Sequence, residues 1–142
     1  MRAHPLEIRF PGTHAGFGNA FERLRSMLDE HHLDAVTRYN TELVFEEIVA
    51  NLVKHAAPTD RDLDVRVILE PRNDAILLTF EDDGKPFDPR EHLVRERPNA
   101  YADGQIGGYG LVLVRRAASA FGYLRTPEGR NRLTVTVPRG TL

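Results

Sequence analysis

The chain contains no cysteine. A disulfide framework, a thiolate zinc site and a cysteine nucleophile are thereby excluded, and a reducing compartment, by default the cytoplasm, suits the composition. Lysine is almost absent too: Lys54 and Lys85 are the only two, and arginine carries the rest of the positive charge. No stretch approaches the roughly 20 apolar residues of a membrane span, and the opening decapeptide Met1 to Phe10 lacks the apolar core of a secretory signal. With 19 Lys and Arg against 21 Asp and Glu, the net charge of -2 offers no general attraction to nucleic acid or to an anionic membrane. Neither is expected as a partner.

The 142 residues, 41% hydrophobic and 28% charged, fit one soluble domain with a core of its own. Leu6, Ile8 and Phe10 alternate with charged residues and end at Pro11-Gly12, which predicts a short first strand. From about His14 to His31, Phe17, Phe21, Leu24, Met27 and Leu28 recur at helical spacing. A second helix is expected from an N-cap at Asp34 to about Ala57. Leu63, Val65, Val67 and Leu69 alternate strictly, Pro71 to Asp74 reads as a turn, and Ile76 to Phe80 runs on into Glu81-Asp82-Asp83-Gly84, so a β-hairpin is expected there. The aperiodic stretch from about 84 to 107 is long for a compact domain and reads as a functional lid. A helix from Gly108 to Phe121 and strands over 123–126 and 133–137 complete the order. The fold class that follows is α+β: one sheet with its helices on one face.

Three segments can carry chemistry. On the second helix, Glu47, Asn51, Lys54 and His55 share a polar stripe beside the apolar face of Phe45, Ile48, Val49, Leu52 and Ala56. A carboxylate and a carboxamide on one stripe suit Mg²⁺, which favours hard oxygen ligands and phosphate, and leave a base for a substrate hydroxyl. The same stripe also fits a solvated helix edge. The acidic turn Asp82-Asp83-Gly84-Lys85-Pro86-Phe87-Asp88 combines carboxylates with a glycine that permits close backbone approach. The run Gly107-Gly108-Tyr109-Gly110-Leu111 puts glycines where the long loop becomes a helix, and backbone N–H groups at such a start favour an anion. A P-loop is excluded by the missing Gly-Lys-Ser/Thr, and a dinucleotide fingerprint by the late position of the glycines.

In order, Glu47-x-x-x-Asn51-x-x-x-His55, Asp82-x-Gly84-x-x-Phe87-Asp88 and Gly107-Gly108-Tyr109-Gly110-Leu111 resemble the conserved boxes of the GHKL ATPases, the superfamily of gyrase, chaperone, histidine-kinase and mismatch-repair ATPases. The likeness is nearest to the stand-alone anti-sigma-factor serine/threonine kinases and extends to the final Gly129 to Thr134 turn and strand. It implies a two-layer α/β sandwich with a mixed, mostly antiparallel sheet and three helices on one face, and ATP with Mg²⁺ as cofactors. It further implies Asn51 as the Mg²⁺ ligand, Asp82 as acceptor of the adenine amino proton, Gly84 as the site where the base lies flat, and Gly107, Gly108 and Gly110 along the phosphates. Lys54, His55, Phe87 and Leu111 fall in the same boxes, Thr134 would sit beneath the adenine, and Glu47 inherits the role of general base. An anti-sigma-factor antagonist as protein substrate, a sigma factor as a second partner and a homodimer built on the first strand and helix are what that resemblance implies about partners. Pro86 and Tyr109 depart from its usual pattern.

Overall fold

The computed structural model describes residues 4–93 and 106–140. In chain order the elements are β1 (Leu6–Pro11), α1 (His14–Glu30), α2 (Ala35–His55), β2 (Asp64–Pro71), β3 (Ala75–Asp82), α3 (Arg90–Leu93), α4 (Ile106–Ala117), β4 (Ala120–Arg125) and β5 (Asn131–Pro138). The five strands form one sheet in the order β1-β2-β3-β5-β4. Parallel pairing was allowed for in the expected mixed sheet, but all four pairings among these strands are antiparallel. The α+β, two-layer class stands.

Alternation decides which face is covered. Ile8, Phe10, Val65, Val67, Leu69, Ile76, Leu78, Phe80, Leu133, Val135 and Val137 are buried on one face, against Leu24, Leu28, Val44, Phe45, Ile48, Val49 and Leu52 from α1 and α2 and Val114 from α4. Phe45 is the centre of this core: its ring lies 6.0 Å from Phe10, 6.0 Å from Phe17, 6.1 Å from Phe21 and 6.4 Å from Phe80. Tilted aromatic pairs at such separations add to area burial, so β1, α1 and β3 are keyed to one turn of α2.

Both long helices are capped by side chains. Thr13 Oγ1 accepts from the Gly16 N–H at 3.0 Å, and Asp34, the expected cap, accepts from the Thr37 N–H at 3.0 Å. The chain's end returns to the same corner, where the Gly140 N–H donates to Thr37 Oγ1 at 2.9 Å.

Two boundaries differ from expectation. The last helix ends at Ala117 rather than Phe121, and β4 begins at Ala120. The Ala118 N–H still closes on Val114 O at 3.1 Å, whereas the Ser119 N–H already donates to Thr136 O at 2.8 Å. Ala117-Ala118-Ser119-Ala120 gives neither period a signal, so the switch was hidden. The expected lid also contains a short helix, α3, whose Arg90 N–H is capped by Asp88 Oδ1 at 3.0 Å; its residues 94–105 lie outside the described residues.

Two glycines on α1 make a paired test of packing. A Cβ at Gly16 would run into the carbonyl oxygen of Pro11, whereas one at Gly18 would meet nothing within 4 Å. Gly18→Ala should stabilise the fold by about 0.5 to 1 kcal/mol through helix propensity. Gly16→Ala should destabilise it by about 2 kcal/mol through overpacking. Urea unfolding would show the midpoints moving in opposite directions at unchanged slope.

Candidate functional site

β3 delivers an unusual carboxylate. Asp82 continues the buried face of Ile76, Leu78 and Phe80 and is 0% exposed. Its Oδ1 accepts from the Gly84 N–H at 2.9 Å and from Asn131 Nδ2 at 2.9 Å. Its Oδ2 is buried and has no hydrogen-bond partner among the described residues. Burial pushes the Asp82 pKa up, opposed by the hydrogen bonds from Asn131 and Gly84. The strand therefore ends in an acceptor aimed at a donor that the described residues do not supply.

The register brings Asn131 directly opposite Asp82. Asn131 is 1% exposed and all of its polar capacity is used. Its Nδ2 donates to Asp82 Oδ1 and, at 2.7 Å, to Lys85 O. Its Oδ1 accepts from the Phe87 N–H at 3.1 Å, the Tyr123 hydroxyl at 2.6 Å and Arg125 Nη1 at 3.1 Å. Arg125 Nη1 also donates to Gly84 O at 2.9 Å. The ends of β3, β4 and β5 and the strap Lys85 to Phe87 thus meet on one carboxamide.

The wall across from this cluster is the C-terminal half of α2. Ala56 O, at the helix C-cap, accepts the Lys85 N–H at 2.9 Å, and the His55 ring stacks on Phe87 with centroids 4.9 Å apart. One turn earlier, Asn51 is 7% exposed and its Nδ2 donates to Glu47 O at 2.7 Å. That bond fixes the carboxamide with its oxygen away from the helix backbone. Glu47 is half-buried, and burial, then the neighbouring Glu46 charge, raises its pKa.

The histidine kinase-like ATPase domain family matches residues 10–137 of this chain. The chain belongs to that family. It is also 30% identical over 99 residues, 70% of its own length and 69% of the relative's, to the serine/threonine-protein kinase BtrW of Bordetella bronchiseptica.

Within this ATPase domain the expected site residues do not all converge. Asp82, Gly84, Phe87 and His55 come together, and Asn51 and Glu47 follow about one and two turns back along the same helix. Lys54 is exposed. Gly107, Gly108, Gly110 and Leu111 are placed by their backbone alone, within the first two turns of α4. Gly84 is required by the packing itself: a Cβ there would strike the carbonyl oxygen of Ala56 and lie 2.7 Å from Leu63 Cδ1. The glycine lets the turn close onto the end of α2.

Thr134 was expected beneath a bound base, but the strand alternation puts it on the other side of the sheet. It sits between buried Leu133 and Val135, across from Thr79 on β3 and Gly122 on β4. The residue on the Asp82 side is Asn131, which the sequence reading missed. Counting back by twos from Val137, Val135 and Leu133 reaches it, so the signal was present in the period of the strand.

Removing the Asp82 charge should stabilise the fold. In Asp82→Asn the amide oxygen still accepts from Gly84 and Asn131, and a neutral unpaired group replaces a buried charged one. Because the folded pKa lies above the ordinary 3.8, ionisation opposes folding, with the cost complete above the folded pKa and absent below the unfolded one. Asp82→Asn should raise stability by about 1 kcal/mol, or roughly 2 to 4 °C, at neutral pH. Thermal melts should show the gap closing as the pH falls through the folded pKa.

Proposed function

We propose that this domain binds Mg-ATP and acts as a regulatory serine/threonine protein kinase, phosphorylating an anti-sigma-factor antagonist in a partner-switching system. The observation that carries the reading is the buried Oδ2 of Asp82, without a hydrogen-bond partner among the described residues, in a chain of the histidine kinase-like ATPase family. A carboxylate oxygen in that state calls for an N–H donor from a ligand, and the amino group of adenine is such a donor.

The remaining residues fit the group in the same sense. An ion that shares its coordination with phosphates and water, as Mg²⁺ does, needs few protein ligands. Asn51 would offer its amide oxygen to that ion. The start of α4, with Gly107 and Gly108 in its first turn and Gly110 just after it, would present backbone N–H groups to the phosphates, and the exposed Lys54 would add positive charge nearby. ATP supplies the phosphoryl group and Mg²⁺ neutralises the charge that develops on it. Glu47 would orient the incoming hydroxyl and take its proton on the carboxylate, a role helped by the raised pKa that burial gives it. The kinase name of the Bordetella relative supports transfer to a protein hydroxyl. The same reading includes a sigma factor as the partner held in the antagonist's absence, and a homodimer through β1 and α1.

Calorimetric titration with ATP, with and without Mg²⁺, tests the pocket. The wild type should bind in a Mg²⁺-dependent manner. Asp82→Asn should lose about 100-fold in affinity, since its fixed oxygen turns an N–H donor toward the adenine amino group. Asn51→Ala should lose the Mg²⁺-dependent increment. Glu47→Ala should keep ATP affinity within about twofold while losing at least about 100-fold in phosphoryl transfer. Unchanged transfer in Glu47→Ala would remove it as the base, and no ATP binding by the wild type would end the kinase reading.

A further inference from the structure

The hydrogen bonds around Asn131 permit only one orientation of its carboxamide. Three donors converge on Oδ1, and two acceptors, Asp82 Oδ1 and Lys85 O, converge on Nδ2. A flipped amide would face donors with donors and acceptors with acceptors, so the network fixes the assignment. The consequence passes to Asp82. Its Oδ1 is engaged twice, the carboxylate cannot rotate without breaking both bonds, and Oδ2 alone is left as the acceptor facing the site.

We propose that Asn131, held by Tyr123 and Arg125, is the positioning residue that makes the site select a base carrying an amino group over one carrying a carbonyl at the same place. The inference rests on the ATP reading above. An amino group donates to the fixed Oδ2, whereas a carbonyl oxygen there would set acceptor against acceptor in a buried place. That discrimination holds only while the carboxylate is locked. A freely turning Asp82 could move its Oδ2 toward the donors Asn131 now occupies and admit either base.

The lock reaches beyond the base. The same carboxamide accepts from the Phe87 N–H and donates to Lys85 O, and Phe87 in turn stacks on His55 at the end of α2. The grip on Asp82 and the placement of the strap are therefore one network, in which Tyr123 contributes the shortest of the three bonds to Oδ1, at 2.6 Å. The Tyr123 hydroxyl donates to Asn131, whereas Asp82 Oδ1 accepts from Gly84 and Asn131, so Tyr123→Phe perturbs the lock without altering the acceptor itself.

The test is the ratio of ATP to GTP affinity by calorimetry on the full chain, for the wild type, Asn131→Ala, Tyr123→Phe, Asp82→Asn and the double variant Asp82→Asn/Asn131→Ala. The wild type should prefer ATP by about 100-fold. Asn131→Ala should lower that ratio by about tenfold and Tyr123→Phe by about threefold, while in the Asp82→Asn background Asn131→Ala should change it less than about twofold. A role confined to folding would scale both affinities together and leave the ratio in place. Should Asn131→Ala fail to fold, Tyr123→Phe decides. A wild-type ratio in the folded lock variants, or an Asn131→Ala effect that persists without the Asp82 carboxylate, overturns this inference alone. A wild type that prefers ATP, with the preference lost in Asp82→Asn, keeps the ATP reading in either case. A wild type that binds neither nucleotide overturns both.

Discussion

A carboxylate buried with one oxygen unpaired is a cost that folding must carry, and the site is organised around that cost at Asp82. Burial without compensation would expel or neutralise the group. Two donors on Oδ1 hold it in place while leaving Oδ2 open. Everything touching Asp82 then has to be exact in position without being charged, which is why a backbone N–H and a carboxamide serve and an arginine does not. Arg125 comes only as close as Gly84 O and Asn131 Oδ1.

The opposite wall owes its position to packing. Phe45 sits at the centre of the ring cluster and fixes the rotation of α2 about its own axis. Glu47 follows two residues later and Asn51 six, so their direction is set by the burial of Phe45, Ile48 and Leu52, all at 1% exposure or less. The Lys85 N–H to Ala56 O bond and the His55–Phe87 stack then close the distance between helix and sheet. A glycine at position 84 is the steric condition for that closure.

Much of this was legible in the sequence, because strong periods and strong caps are local. The alternation of Leu6 to Phe10 and Leu63 to Leu69 and the cap at Asp34 are each decided within a few residues, and they appear where expected. What was not legible depends on register between distant segments. Thr134 is placed under the base by the family resemblance, and pairing with β3 sends it to the open face, while Asn131 acquires its role only because it falls opposite Asp82, 49 residues away. The stripe on α2 was likewise ambiguous between a solvated edge and a site. Tertiary contact divides it: Asn51 is buried, His55 is stacked and Lys54 is left exposed.

Glu81 and Asp82 show that the missing partner of Asp82 is local and specific. They are neighbours on one strand with nearly equal burial, at 5% and 0% exposure, and they point to opposite faces of the sheet. On the open face Glu81 is clasped between Arg132 at 2.6 Å and Arg66 at 3.2 Å, and Arg66 extends the chain of charges to Glu7 at 2.7 Å. Desolvation of that carboxylate is answered by guanidinium groups in good geometry. An arginine-rich chain thus had the means to neutralise a buried acid one residue away. On the helix-facing side the described residues offer Asp82 neutral donors on one oxygen and none on the other. A fold selected only for stability would close that gap, as the Glu81 side closes its own, so a gap left open at this one atom fits a group kept for a ligand.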